Sequence, residues 1–255
     1  IAVDDSQSVC KFNTKFWAFP EQVTAFFQEI ENIGGNVYGV SFHVGSGCRD
    51  PKIHKDAIEK AAATILEWKK YGFSMNILDI WGGYPSSDRY IKFSDIAYHI
   101  REIHDSLLEK YPELSEVVWI GEPGRYMVGT SHTMLTEVIG IKKEHQNSLR
   151  LYLNEWVYGG LSGLIFDYME PQISVYQKET EIQTHTYTLF GPTCDSLDTA
   201  GSVTLPEVQV WDKVMFWHIW DYSVASATTF NGFQLSTKLY YISNESDREV
   251  THNLS

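Results

Sequence analysis

Three cysteines in 255 residues are too few, and too irregularly spaced, to staple a fold; Cys10, Cys48 and Cys194 read as reduced thiols, the pattern expected of a cytoplasmic protein. No apolar run approaches the roughly 20 residues that a membrane-spanning helix needs. The opening "IAVDDSQSVC" lacks the basic-then-apolar order of a signal peptide, so no membrane association is expected. Positive charge is scarce: 20 Lys and Arg stand against 33 Asp and Glu, a formal net charge of -13 that opposes nucleic-acid binding. Repeats, low-complexity tracts and flexible linkers are missing too. An initiating Met is absent as well: the chain opens at Ile1 inside a strand-like stretch ending in "DD", and further residues are expected upstream.

What remains is an ordinary globular balance, 43% hydrophobic and 21% charged, long enough to bury a core. The first half alternates strands and helices. "NVYGVSFHV" (36–44), "FSMNILDI" (73–80) and "EVVWIG" (116–121) are β-rich and nearly all apolar, as strands buried on both faces are. Between them run helices of 3.6 periodicity. Val23, Phe26, Phe27 and Ile30 share a face after Pro20, and Gly34-Gly35 stops that helix. Ile58, Ala62 and Ile65 form a second stripe ended by Gly72, and Phe93, Ile96, Ile100, Ile103 and Leu107 a third ended near Pro112. Strand–helix–strand spacing of this kind predicts βα units and a parallel sheet.

After about residue 130 the character changes. "HTMLTEVIGIKKE", "LRLYLNEW", "EVQVWDKVMFW", "SVASATTFNGF" and "KLYYIS" read as short alternating strands of a mostly antiparallel β domain. The fold class is therefore α/β: residues 1–130 as βα units and residues 131–255 as a β-rich C-terminal domain.

The chemistry gathers just after the strands, at "HVGSG" (43–47), "WGGYPSSD" (81–88) and "GEPGR" (121–125). Ligands bind at the C-terminal ends of parallel strands. One such loop is more often a plain turn; three in register favour a site. Glycines at 45, 47, 82 and 83 let backbone N–H groups approach a phosphate, Ser46 adds a hydroxyl and Arg125 a matching charge. Glu122 sits at a strand end, and His43 is placed to stack on a ring, although a strand-end histidine is more often structural. No phosphate-binding P-loop, dinucleotide fingerprint, metal cluster or Ser/His/Asp pattern is present. In the β half, "GPTCDSLD" (191–198) sets Cys194 beside Asp195 on a Gly-Pro turn, a proton donor next to a cation anchor. A buried cysteine in a capped turn is the commoner explanation of such a stretch.

Taken in order, "VSFHVGSGC", "LDI-GG-P", "EPGRY", "GPTCD-LD" and "TFNGF" resemble the eukaryotic ornithine decarboxylase family over residues 1 to 241. The resemblance implies a pyridoxal 5'-phosphate enzyme with part of a (β/α)8, TIM-like barrel followed by a β domain. It implies that His43 stacks on the pyridine ring, that Glu122 pairs with the ring nitrogen, and that Ser46, Gly82, Gly83, Arg125 and Tyr222 hold the phosphate. Cys194 then returns a proton to carbon, and Asp167 and Asp195 hold the distal ammonium of ornithine or its product putrescine. It further implies a homodimer with Lys15 and Asp198 at the interface, and a possible partner in antizyme, the regulator of that family. A non-catalytic, antizyme-inhibitor-like homologue and a decarboxylase of lysine or arginine are the alternatives.

Two departures qualify this expectation. The family's Schiff-base lysine lies upstream of Ile1, and no lysine here stands in its place, so the 255-residue chain alone is expected to be inactive. Six of the eight tryptophans, at 17, 68, 81, 156, 211 and 220, fall where the resemblance expects glycine. Since glycine and tryptophan codons differ by as little as one base, a systematic difference in how these codons are read is expected. As tryptophans they should overpack their sites, with added strain wherever the backbone is left-handed.

Overall fold

The chain is seen in a computed structural model that describes residues 1–143, 148–178, 183–219, 222–241 and 250–251. It divides into two compact units, Ile1–Thr130 and Ser131–Ser255.

The first unit is built of βα repeats. Helix α1 (Pro20–Asn32) starts with proline at its first turn, where no N–H is needed, and its end at Ile33 is followed by Gly34 at φ 68°. Strand β1 (Gly39–Ser41), helix α2 (Lys52–Lys69), strand β2 (Ile77–Asp79), helix α3 (Phe93–Lys110), a 3-10 turn (Pro112–Glu116), strand β3 (Val118–Ile120) and the short helix α4 (Gly124–Val128) follow. The three strands form a parallel sheet in the order β1-β2-β3, with Val40 opposite Leu78 and Leu78 opposite Trp119. Phe42, Ile58, Ala61, Ile65, Met75 and Leu78 make the core, each at most 1% exposed. At roughly 25 cal/mol per Å² of apolar surface, these inward stripes of α2 and the strands hold the unit together.

Two expectations fail here. β3 is not buried on both faces: Trp119 turns toward the core, and the alternation of the strand leaves Val118 60% and Ile120 39% exposed on the other face. Phe26 is not part of the α1 core face; Phe27 fills that place, and Phe26 is 56% exposed. Trp68, one of the expected overpacked positions, is buried flat against Phe27, with ring centroids 3.7 Å apart and planes within 11°.

The second unit carries a six-stranded sheet in the order β6-β9-β4-β5-β7-β8, from β4 (Thr133–Lys143), β5 (Leu149–Leu153), β6 (Gln172–Val175), β7 (Thr184–Phe190), β8 (Thr199–Pro206) and β9 (Lys213–Trp217). Every pairing is antiparallel except β5 with β7. β4 serves two neighbours, pairing β9 through Thr133–Glu137 and β5 through Val138–Lys143, with a register shift between Val138 and Gly140 where it changes partner. Val138, Leu151, Leu153, Leu189, Val214 and Phe216 are fully buried beneath it. "SVASATTFNGF" is not a strand: it forms the short helix α6 (Ser223–Ser226) and a 3-10 turn at Phe230–Gly232. The serine and alanine run suits a helical turn, and Asn231 at φ 55° breaks any extended path. Helix α5 (Gly163–Phe166) and the paired stretches β10 (Tyr240–Tyr241) and β11 (Val250–Thr251) complete the unit.

Candidate active site

In the first unit three loops converge on His43. The chain leaves β1 still extended: the Phe42 N–H donates to the Asp79 carbonyl at 3.2 Å, and His43 follows, 5% exposed. The His43 Nδ1 accepts the Gly45 N–H at 2.8 Å, which puts the ring proton on Nε2. Burial first, and the Arg125 charge second, push its pKa down to about 4 against an opposing pull from Asp5. At neutral pH the ring is uncharged, so it can stack on an aromatic ligand without adding a positive charge beside it.

The glycines of the second loop are there for closeness. Gly83 has φ 80°, and a Cβ on it would lie 2.7 Å from His43 Cε1 and 2.8 Å from the Gly45 carbonyl oxygen. A Cβ on Gly82 would lie 2.2 Å from the Glu122 carbonyl oxygen. The 43–47, 81–84 and 121–125 loops therefore touch through backbone. Ser46 exchanges both backbone hydrogen bonds with Cys10 at 3.1 Å, so its hydroxyl is what it offers a ligand. Arg125 opens α4, half-buried, and Glu122 stands exposed before it. This close, glycine-lined set with one guanidinium suits a phosphate.

Trp81 does not suit it. Its backbone is left-handed, φ 49°, with the N–H donated to Asp79 Oδ1 at 2.8 Å and the carbonyl accepting the Glu122 N–H at 2.8 Å. Its ring meets His43 edge-on at 5.1 Å and Trp17 at 5.1 Å, while Phe12 lies 4.4 Å from His43. Trp17 is left-handed too, φ 84°, and its buried indole N–H has no partner. The backbone of the loops fits a phosphorylated ring, and the indole at 81, backed by that at 17, crowds the histidine it would stack on.

The other expected residues divide as follows. Lys15, in the first unit, is exposed, with Nζ 5.0 Å from the Phe16 ring centroid. In the second unit Cys194 is an exposed free thiol, beside the half-buried Asp195. The Asp195 carboxyl is held below its ordinary range by the Leu197 N–H and then by the Tyr158 hydroxyl, which donates to Oδ2 at 2.5 Å. It thus stays anionic, which is what an ammonium anchor needs. Asp198 is 1% exposed and accepts from the Val157 N–H at 3.1 Å, the Thr193 N–H at 3.1 Å and the Thr193 hydroxyl at 2.7 Å. It therefore ties down the turn that carries Cys194. Asp167 is half-buried at the end of α5. Tyr222 precedes α6 at φ 58°, its side chain exposed. Trp220 and Asp221, beside it, lie outside the described residues, as does most of the stretch after 241.

Sequence reasoning passed over four residues. Asp5 is buried and accepts the Phe12 and Asn13 N–H groups at 2.8 and 2.9 Å, fixing the turn that brings Phe12 to His43. Tyr158 orients Asp195 from 37 residues away. Ser162, fully buried, donates to the Ser223 carbonyl at 2.6 Å and pairs with the Ser226 hydroxyl at 2.7 Å, bracing the turn after Tyr222. His54 is 2% exposed and stacked on Tyr84 at 5.8 Å. Only the "DD" pair beside a strand signals the first of these; the others are set by distant packing.

Residues 1–129 match the model of the pyridoxal-dependent decarboxylase family, pyridoxal binding domain. This chain belongs to that family. The pyridoxal-dependent decarboxylase fold is shared with the arginine decarboxylase of Paramecium bursaria Chlorella virus, solved with agmatine bound. The TM-score is 0.81 at 29% identity, over 91% of this chain and 62% of the other. Antizyme inhibitor 2 of Xenopus laevis is 37% identical over 254 residues, covering 94% of this chain and 55% of that protein. Ornithine decarboxylase of Rattus norvegicus is 34% identical over 263 residues, covering 96% and 56%. The chain thus spans about half the length of the curated relatives it matches. Among the described residues no helix is long and apolar enough to cross a membrane.

Proposed function

We propose that the protein decarboxylates L-ornithine to putrescine, with pyridoxal 5'-phosphate as cofactor and as a homodimer. The observation that carries this reading is the backbone closure of three loops on a buried, neutral His43, with Arg125 close enough to act on its titration. The cofactor supplies the electron sink that lets carbon dioxide leave. His43 stacks on its ring, and Glu122 holds a proton on the ring nitrogen. Ser46, Gly82, Gly83, Arg125 and Tyr222 hold its phosphate. Cys194 delivers a proton to the substrate carbon, and the anionic Asp195, with Asp167, holds the distal ammonium. Lys15 is proposed for the dimer interface and antizyme for a further partner; Asp198, buried and bonded within its own unit, is proposed to act there only by holding the Cys194 turn. No lysine of the 255 residues is assigned the Schiff base, so this chain alone is expected to release no carbon dioxide. Carbon dioxide release from ornithine, lysine and arginine by the full-length protein tests the reading. Release from ornithine fastest supports it, and faster release from lysine or arginine moves the assignment to that substrate. No release from any sinks the enzyme.

One observation favours a second reading, a non-catalytic homologue that acts by binding, as the name of the Xenopus laevis relative describes: the contact of Trp81 with His43. The retained Cys194, Asp195 and Glu122 speak against it, since a binding protein has no use for a protonating thiol. A visible absorbance band of Schiff-base-bound cofactor in the full-length protein separates the two.

A further inference from the structure

Nine residues other than glycine hold a positive φ among the described residues, and three of them are tryptophans, at 17, 81 and 211. An indole is among the least suited side chains for that conformation, and glycine is the one residue that adopts it freely. Two of the three sit together. Trp81 packs on Trp17 at 5.1 Å and on His43 at 5.1 Å, and Phe12 closes on His43 at 4.4 Å.

The backbone of Trp81 is held in place. Its N–H is held by Asp79 and its carbonyl by Glu122. The next two residues are glycines whose missing Cβ atoms would collide with Glu122 and His43, which leaves the turn no slack. With its backbone fixed, the side chain at 81 sets, together with Phe12, how much of the imidazole is covered. The indole of Trp17 backs it, filling space as an apolar body while its buried N–H goes unanswered.

We infer that Trp81, seated against Trp17, decides whether the His43 site takes the cofactor's ring. With tryptophan at 17 and 81 the indole of Trp81 crowds the imidazole beside Phe12; with glycine at both, that crowding is removed while the turns, already left-handed at both positions, persist. This rests on the decarboxylase reading, because it takes the ligand of the site to be pyridoxal phosphate. It also makes residue 81 the determinant that separates that reading from the non-catalytic one.

The test is equilibrium dialysis of the full-length protein against pyridoxine 5'-phosphate, which keeps the ring and phosphate but has no aldehyde to react with lysine. The protein is compared as encoded, as Trp17→Gly/Trp81→Gly, and as Trp211→Gly, a control in the other unit. The double variant is expected to bind at least ~tenfold tighter than the encoded chain, with the control unchanged. Equal, measurable binding by the encoded chain and the double variant overturns the inference and leaves the decarboxylase reading standing. Absence of binding to both, with cooperative melting showing each folded, overturns the inference and removes the cofactor from the reading as well. Should the double variant fail to fold, Trp81→Gly alone, which leaves Trp17 unsubstituted, decides on the same terms.

Discussion

Trp211 offers a direct measure of what a left-handed tryptophan costs this chain. Its φ is 78°, its side chain is 69% exposed, and its N–H donates to the Val138 carbonyl at 2.8 Å. The turn is closed further by Gln209 N–H to Asp212 Oδ2 at 2.7 Å and Asp212 N–H to the Gln209 carbonyl at 3.1 Å. The backbone is therefore dictated by the sheet and is expected to stay left-handed whatever residue stands there. Comparing Trp211→Gly with Trp211→Ala cancels the loss of the indole, since both remove it. What remains is the cost of a Cβ in the left-handed region, ~1–2 kcal/mol. Against it stands the greater freedom of glycine in the unfolded chain, ~0.4–1 kcal/mol. The glycine variant should win by about 0.5–1 kcal/mol, a melting difference of roughly 1–4 °C for a chain of this size. At an exposed helical position such as Lys60 the order should reverse, alanine being better by about 1 kcal/mol. Thermal and urea melts of the four variants read the result. An alanine variant at 211 as stable as the glycine one refutes the claim that this backbone favours glycine.

Two further perturbations test packing and charge. His54 is buried, and burial, reinforced by the nearby His43 and opposed by the Pro51 backbone and Asp50, pushes its pKa down to about 4 from 6.5. The unfolded chain binds the proton more tightly, so stability is full above pH 6.5 and is lost as pH falls toward 4, by up to ~3 kcal/mol. His54→Phe should raise the stability at pH 7 by about 1 kcal/mol and flatten this acid loss, as urea melts between pH 4 and 7 would show; an unchanged acid slope would exonerate His54. Asp198→Asn replaces an acceptor of three N–H and O–H groups with a side chain that is half donor. It should cost about 2–3 kcal/mol and speed maleimide labelling of the exposed Cys194, whereas an unaltered labelling rate would mean that Asp198 does not hold that turn.

The elements legible in the sequence were those whose apolar period is long. The α2 stripe of Ile58, Ala62 and Ile65 and the strands around Val40 and Leu78 are buried where periodicity placed them. The glycine loops at the strand ends were legible too, because close backbone approach leaves glycine as its mark. Illegible were features fixed by distant partners. Nothing near Phe26 or Phe27 says which of two adjacent phenylalanines faces Trp68, and β3 reads as a core strand although it is an edge. The helix α6 hides in a run of serine, alanine and threonine with no stripe at all. Among the candidate residues, Tyr158 with Asp195 in the second unit and Asp5 with Phe12 in the first were invisible, since each pairing depends on a fold that local pattern does not encode.

The exchange of hydrogen bonds between Cys10 and Ser46, together with the Ser8 hydroxyl on the Val44 carbonyl at 2.5 Å, has a kinetic consequence. These bonds join segments about 36 residues apart in sequence. Closing such a span costs on the order of 3 kcal/mol in chain entropy before any contact repays it. The 43–47 loop is therefore not a local turn that forms early; it becomes ordered only when the N-terminal segment docks along it. Loop and docked segment then appear in one cooperative step. A ligand held by that loop should accordingly register as a rise in the melting temperature of the whole first unit, and not merely as a quieter surface loop.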